Sequence, residues 1–252
     1  MNRLLSFSAV LLYAFLHLPL LVLAAFSFNQ GRLTVWQGFS LRWYEAAFHD
    51  GQLIEAALNS LVIAFAATAL ATAIGTLCAY GLWKRGSRTF TLSLSLSLVT
   101  PEIVMGISLL ALFQWAFRFL GAQLGLHTVI LAHVSFCVAF VVIVVLARLR
   151  TFDAALEEAA LDLGATHFAA FYRVTLPNLV PGILSAALLA FTISFDDYVI
   201  TSLVAGVDSE TLPMVLYAIA RRGANPVVNA ISTIIVFGLG ALILVSERLR
   251  KP

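Results

Sequence analysis

Charge is what this chain has least of. Lys, Arg, Asp and Glu make up 11% of its 252 residues, against roughly 25% in a soluble domain. Hydrophobic residues make up 61%, and the mean hydropathy is +0.98. A shortage of that depth excludes a soluble globular protein and leaves a polytopic membrane protein. The formal net charge of +2 is too small to mark a nucleic-acid partner. Cysteine is also scarce. Cys78 and Cys137 both lie inside apolar runs, without disulfide or metal-site spacing, and read as small buried hydrophobes. CxxC, HExxH, GxSxG and glycine-rich phosphate loops are missing, so no motif assigns a catalytic residue or a metal ligand. An intramembrane protease would need a nucleophile–base pair, and His133 with Ser135 is not one. Low-complexity tracts, a soluble domain and internal repeats are likewise missing. The last absence speaks against a stand-alone secondary transporter built from inverted halves.

What the chain has instead is long apolar runs. A membrane helix needs ~20 mostly apolar residues, and that length is met at residues 4–28, 58–83, 89–117, 128–147, 181–204 and 227–245. The expectation is an all-α, single-domain membrane protein over residues 1–252 with six transmembrane helices. The first run contains His17 and Pro19. It is too long for a signal-peptide core despite Arg3 before it, and is expected to be retained. Residues 29–57 form a loop whose Trp36, Trp43 and Tyr44 suit a membrane interface. Pro101 and Glu102 interrupt the third run. His17 and His133, single histidines on apolar faces, read as buried and hydrogen-bonded.

Six crossings put both termini on one side. On that side fall Arg3, Lys84, Arg85, Arg88, Arg148, Arg150, Arg173, Arg248, Arg250 and Lys251. The other side has Arg32, Arg42, Arg118, Arg221 and Arg222. Positive charge accumulates inside, so the termini and residues 148–180 are expected in the cytoplasm.

Residues 148–180 are the polar interruption around which the rest is arranged. Asp153 is placed to cap a first helix, with Glu157 and Glu158 early in it. Leu156, Ala160 and Leu163 share one apolar face, and Glu157, Glu158 and Asp162 lie off it. Gly164 suits the left-handed residue that ends a helix. Thr166 caps a second helix, which Pro177 is expected to end. Glu158-Ala159-Ala160, three residues, Gly164, nine residues and Val174-Thr175-Leu176-Pro177 resembles the EAA loop of binding-protein-dependent ABC importer permeases. Val174 departs mildly, since the family prefers Ile there. The resemblance implies a cytoplasmic pair of coupling helices that docks on an ATP-binding subunit, with Glu158, Ala159, Ala160, Gly164, Leu176 and Pro177 as the ATPase-coupling residues. ATP and Mg would then belong to the partner ATPase, and this chain would carry no cofactor and no catalytic residue.

Three acids fall within apolar runs: Glu102, Asp196 and Asp197. Ionisable groups there are costly and face a cavity or a partner. No Lys or Arg lies inside a run to neutralise them, so a cationic solute is a reasonable partner. Capping of a broken helix is the other reading, and Glu102 directly after Pro101 fits it well. Trp36-Gln37-Gly38-Phe39, Arg42-Trp43-Tyr44, Pro101 to Met105 and Phe191 to Asp197 resemble the C-type permease subunit of spermidine/putrescine importers, as do Leu212-Pro213, Tyr217 and Asn225-Pro226. That resemblance spans nearly the whole chain. It implies a type I importer fold in the bacterial inner membrane. It also implies a second permease subunit, a dimer of ATP-binding subunits and a periplasmic substrate-binding protein docking on residues 29–57 and 205–226. Asp196, Asp197 and Glu102 would form the substrate pathway. Permeases for opines or aminophosphonates share much of the same pattern.

Overall fold

The computed structural model describes residues 2–32, 35–223 and 225–249. Arg250 and Lys251, and the side chains of Arg3 and Arg248, all used in the charge count, lie outside the described residues. Helices account for nearly all of it: α1 (Asn2–Ser27), α2 (Arg42–His49), α3 (Gly51–Arg85), α4 (Arg88–Val99), α5 (Glu102–Leu120), α6 (Leu126–Leu149), α7 (Ala155–Asp162), α8 (His167–Ala170), a π-helical turn (Phe171–Thr175), α9 (Leu176–Asp196), α10 (Val199–Val204), α11 (Leu212–Arg221) and α12 (Pro226–Leu249). Among the described residues no strand forms beyond an isolated bridge between Asn29 and Phe39. Five stretches among the described residues are long and apolar enough to cross a bilayer: Leu5–Ser27, Gly51–Arg85, Glu102–Leu120, Leu126–Leu149 and His167–Asp196. The 24-residue α12 covers the sixth expected run.

The chain divides into two compact units, Met1–Glu55 with Val215–Pro252, and Ala56–Met214. In the first unit α12 packs against α1 and α2. The turn after α1 is held by its own polar groups. Trp43 Nε1–H donates to the Asn29 carbonyl at 2.7 Å, and the hydroxyls of Ser27 and Tyr44 lie 2.7 Å apart. Arg42 stacks over Trp43 at 4.0 Å. Along α1 His17 is exposed, its Nδ1 2.8 Å from the Tyr13 carbonyl, so the burial expected for it is not found.

In the second unit α6 is the centre. Val129, Val141, Val142, Val145 and Leu149 are fully buried, and α9, α10 and α5 pack around it. Small residues set the crossings. A Cβ at Gly75 of α3 would lie 2.6 Å from Val141 of α6, and one at Gly106 of α5 would lie 2.5 Å from Leu203 of α10. Where lipid replaces water, such close approach is what holds helices together.

Several expected boundaries move. Leu98–Val99 ends α4, Pro101 caps α5 and Glu102 opens it, so the third span is Glu102–Leu120 rather than 89–117. The second span lengthens to Gly51–Arg85. Pro177 does not end a helix. It has no N–H to give Arg173, and the turn before it widens so that the Leu176 N–H bonds to Phe171 instead. Residues His167–Asp196 therefore run as one helical stretch from the polar segment into the apolar layer. The fifth span ends at Asp196, not 204, because Asp197 turns to extended backbone (ψ 127°) and a separate α10 begins.

Candidate functional site

The polar segment forms a projecting pair of short helices. Ala155 N–H donates to Asp153 Oδ1 at 3.0 Å, and Ala169 N–H donates to Thr166 Oγ1 at 3.2 Å, so both expected caps form. Between them the chain turns back at Gly164, whose φ is +88°. Ala165 N–H reaches the Ala160 carbonyl at 3.0 Å and Gly164 N–H reaches Leu161 at 2.9 Å, the paired bonds that close a helix on a left-handed residue. A Cβ at Gly164 would meet nothing within 4 Å. Glycine is therefore set here by backbone conformation, and the space above it is open.

Glu158, Ala159 and Gly164 are exposed and Ala160 is partly so. The apolar face beside them is turned outward. Leu163 is 90% exposed and Phe168 77%, and Phe168 stacks on the exposed Tyr172 with ring centroids 6.3 Å apart. A pair of short helices that presents leucine, two aromatics and small residues to the outside has the form of a docking knuckle. Leu176 and Pro177 lie just behind it, at the root of α9.

Glu157 overturns its expected placement. It was expected off the apolar face with Glu158, yet it is fully buried. About 100° of helical rotation separates adjacent residues, and that rotation turns Glu157 inward onto α3. Its Oε1 accepts from Lys84 Nζ and from the Tyr80 hydroxyl, both at 2.8 Å, while Oε2 accepts from the Thr175 hydroxyl at 2.8 Å. Burial works to raise the Glu157 pKa. The bonds from Lys84, Tyr80 and Thr175, with the Lys84 charge, outweigh it and hold the carboxyl below its ordinary value. Tyr80 also packs on Phe171 at 4.5 Å between centroids. Sequence reasoning missed this cluster. The available signal was Tyr80 and Lys84 on one face of α3, four residues apart.

In the apolar layer, a pocket of about 460 Å³ opens at the break between α9 and α10. Glu102, Asp196 and Asp197 all line it, together with Thr100, Thr192 and Tyr198. The three expected acids thus meet in one cavity. Their roles differ. Asp197 Oδ2 accepts from the Thr201 N–H at 2.8 Å and the Thr201 hydroxyl at 2.7 Å, and His133 Nε2 lies 3.4 Å away. This carboxylate caps α10 and faces an imidazole, so it is not without a partner as expected. His133 is buried, as expected, with Nδ1 2.7 Å from Ser194 Oγ and Nε2 2.9 Å from Thr201 Oγ1. The Thr201 hydroxyl gives its hydrogen to Asp197, so His133 Nε2 must donate to Thr201, which fixes one side of the ring. Among the described residues no hydrogen bond or ion pair engages Glu102 or Asp196. Both are exposed to the pocket or beyond. Cys137 is buried against Ala190 and Cys78 is half-buried, with no metal-ligand cluster among the described residues.

An all-helical bundle with an outward knuckle of small and apolar residues at one end and an acidic pocket within its apolar layer has the layout of a membrane permease. Comparison with known proteins gives the family. The chain belongs to the binding-protein-dependent transport system inner membrane component family, whose model matches residues 71–251. It is 43% identical to the putrescine transport system permease protein PotI of Escherichia coli K12 over 235 residues, 90% of this chain and 84% of that protein. It is 40% identical to the spermidine/putrescine transport system permease protein PotC of Haemophilus influenzae over 243 residues, 95% and 93% of the two chains. Among solved structures it is similar to a chain of a bacterial ABC transporter involved in the import of alginate, with a TM-score of 0.74 and 18% identity over 99% of this chain and 98% of that one. It is also similar to a chain of the MetNI methionine ABC transporter, with a TM-score of 0.66 and 19% identity over 78% and 94%. The family expected from residues 158–177 is the family found, and the chain is a multi-pass inner-membrane component of a binding-protein-dependent transport system.

Proposed function

We propose that this chain forms one half of the translocation pathway of a polyamine importer, beside a second permease subunit. The observation that carries the substrate class is the pocket in which Glu102 and Asp196 stand without partners, in a chain about 40% identical to putrescine and spermidine permeases. A short diamine or triamine presents ammonium groups that two separated carboxylates neutralise inside an apolar layer, where an unpaired charge is costly. Asp197 supports the pocket by capping α10 rather than by meeting the solute.

Residues 158–164, with Phe168 and Tyr172, dock in a groove of the ATP-binding subunit, and both termini lie on that cytoplasmic side. ATP and Mg stay on the ATPase, and this chain supplies mechanical coupling only. The unbroken helical stretch His167–Asp196 carries knuckle movement to the pocket. The loaded binding protein docks on the opposite face, over residues 29–57 and 205–226.

Reconstitution of this chain with its partner permease, ATPase and binding protein in liposomes tests the reading. ATP-driven uptake of radiolabelled putrescine or spermidine, lost when the binding protein or ATP is left out, is the expected result. Uptake by this chain alone, or driven by a proton gradient without ATP, overturns it.

A further inference from the structure

α3 is clamped at both ends. Near one end, Tyr80 and Lys84 hold the buried Glu157 of α7, and Glu157 in turn holds Thr175 at the root of α9. Near the other end, Asn59 Nδ2 donates to the carbonyls of Asp208 at 3.3 Å and Glu210 at 3.0 Å, and Ser60 Oγ accepts the Leu212 N–H at 2.8 Å. The 206–212 loop is itself tight. Gly206 N–H donates to Ser209 Oγ, the Ser209 hydroxyl donates back to the Gly206 carbonyl, both at 2.7 Å, and Asp208 adopts a φ of 58°. Ser60 and Tyr80 stand twenty residues apart on one uninterrupted helix, which is about 30 Å at the α-helical rise and matches the apolar thickness of a bilayer. At about 100° of rotation per residue, Asn59 and Lys84 lie within about 20° of one another around that helix, so these two grips act on one face.

We propose that α3 is a second transmission rod, tying coupling helix α7 through Glu157 to the 206–212 loop through Asn59 and Ser60. Movement of α7 by the ATPase is thereby felt on the opposite face of the protein without passing through the substrate pocket. The inference rests on the docking role proposed for residues 158–164. It makes Glu157 a positioning residue, distinct from the exposed Glu158 that faces the partner. Mere adjacency along a helix does not establish coupling, so the test measures non-additivity.

The complete importer is reconstituted with Glu157→Gln, Asn59→Ala and the double variant. Stimulation of ATP hydrolysis by the loaded binding protein and solute taken up per ATP are measured for each, with assembly checked by co-purification. Each single variant is expected to lower stimulation by about 5-fold, the low end of ordinary coupling strength, and the double variant to be no worse than the weaker single. Losses that multiply in the double variant, or single variants that match wild type, overturn the rod. If Glu157→Gln fails to assemble, Tyr80→Phe, which removes one hydroxyl, carries the same cycle. Gly164→Trp separates this from the underlying reading. Undiminished stimulation in that variant refutes docking at residues 158–164, whatever the cycle shows.

Discussion

Two acidic doublets, Glu157–Glu158 in α7 and Asp196–Asp197 at the end of α9, are each divided by the fold into unlike halves. Glu157 is buried beneath Lys84, Tyr80 and Thr175, while Glu158 is exposed on the knuckle. Asp197 caps α10 beside His133, while Asp196 faces the pocket unpaired. In each pair one carboxylate is consumed in holding a helix junction and its neighbour is left free for an outside partner. In α7 the divider is helical rotation. At 196–197 it is a break in the helix, since the extended backbone at Asp197 aims its carboxylate at the N–H groups of the next one. A doublet of acids therefore fixes a junction and presents a charge at the same place.

The comparison yields predictions that can break it. The largest effect falls on Glu157. Its replacement by Ala leaves Tyr80 and Thr175 without their acceptor and removes the partner of the half-exposed Lys84. The expected cost is about 2–3 kcal/mol, below the full range for a buried pair because solvent screens Lys84. Glu158→Ala should stay within about 0.5 kcal/mol yet lose stimulated ATP hydrolysis. Thermal unfolding of the purified complex alongside ATPase assays checks both. Equal loss of stability in the two variants would remove the distinction.

A smaller effect is expected at Gly164. Its positive φ penalises most side chains by roughly 1–2 kcal/mol, while Asn tolerates that region. Gly164→Asn should therefore keep the fold and weaken coupling less than Gly164→Trp, the Cβ of either meeting open space. ATP hydrolysed per solute imported is the readout. Identical behaviour of the two variants would show that backbone strain alone governs the site.

The smallest effect is on pH dependence. Because the folded-state pKa of Glu157 lies below its ordinary value, its contribution is fully present above about pH 4.3. It fades as pH falls through the depressed folded value. Glu157→Gln should flatten the acid side of the stability profile there and leave the neutral side parallel to wild type. Steeper acid loss in the variant would contradict the assigned direction.

Much of this was legible in the sequence, and what was not has identifiable causes. The apolar runs, the caps at Asp153 and Thr166 and the left-handed turn at Gly164 follow from local chemistry, and the spacing from Glu158 to Pro177 carried the family. Asp196, Asp197 and Glu102, singled out as acids within apolar runs, line one pocket. Contacts distant in sequence were out of reach. Nothing local says that Lys84 and Tyr80 meet Glu157, or that His133 and Thr201 meet Asp197. The continuation of the helix through Pro177 was hidden for another reason. A proline normally closes the preceding turn, and only a widened π turn at 171–175 lets the chain pass.

The most direct test is the second doublet, replaced one acid at a time in the reconstituted importer, with stability and polyamine uptake measured on the same samples. Asp196→Asn should melt like wild type and lose most of its uptake. Asp197→Asn should melt lower, its α10 cap and His133 partner weakened, with uptake falling in proportion to the folded complex recovered. Full uptake by a stably folded Asp196→Asn complex would contradict the account.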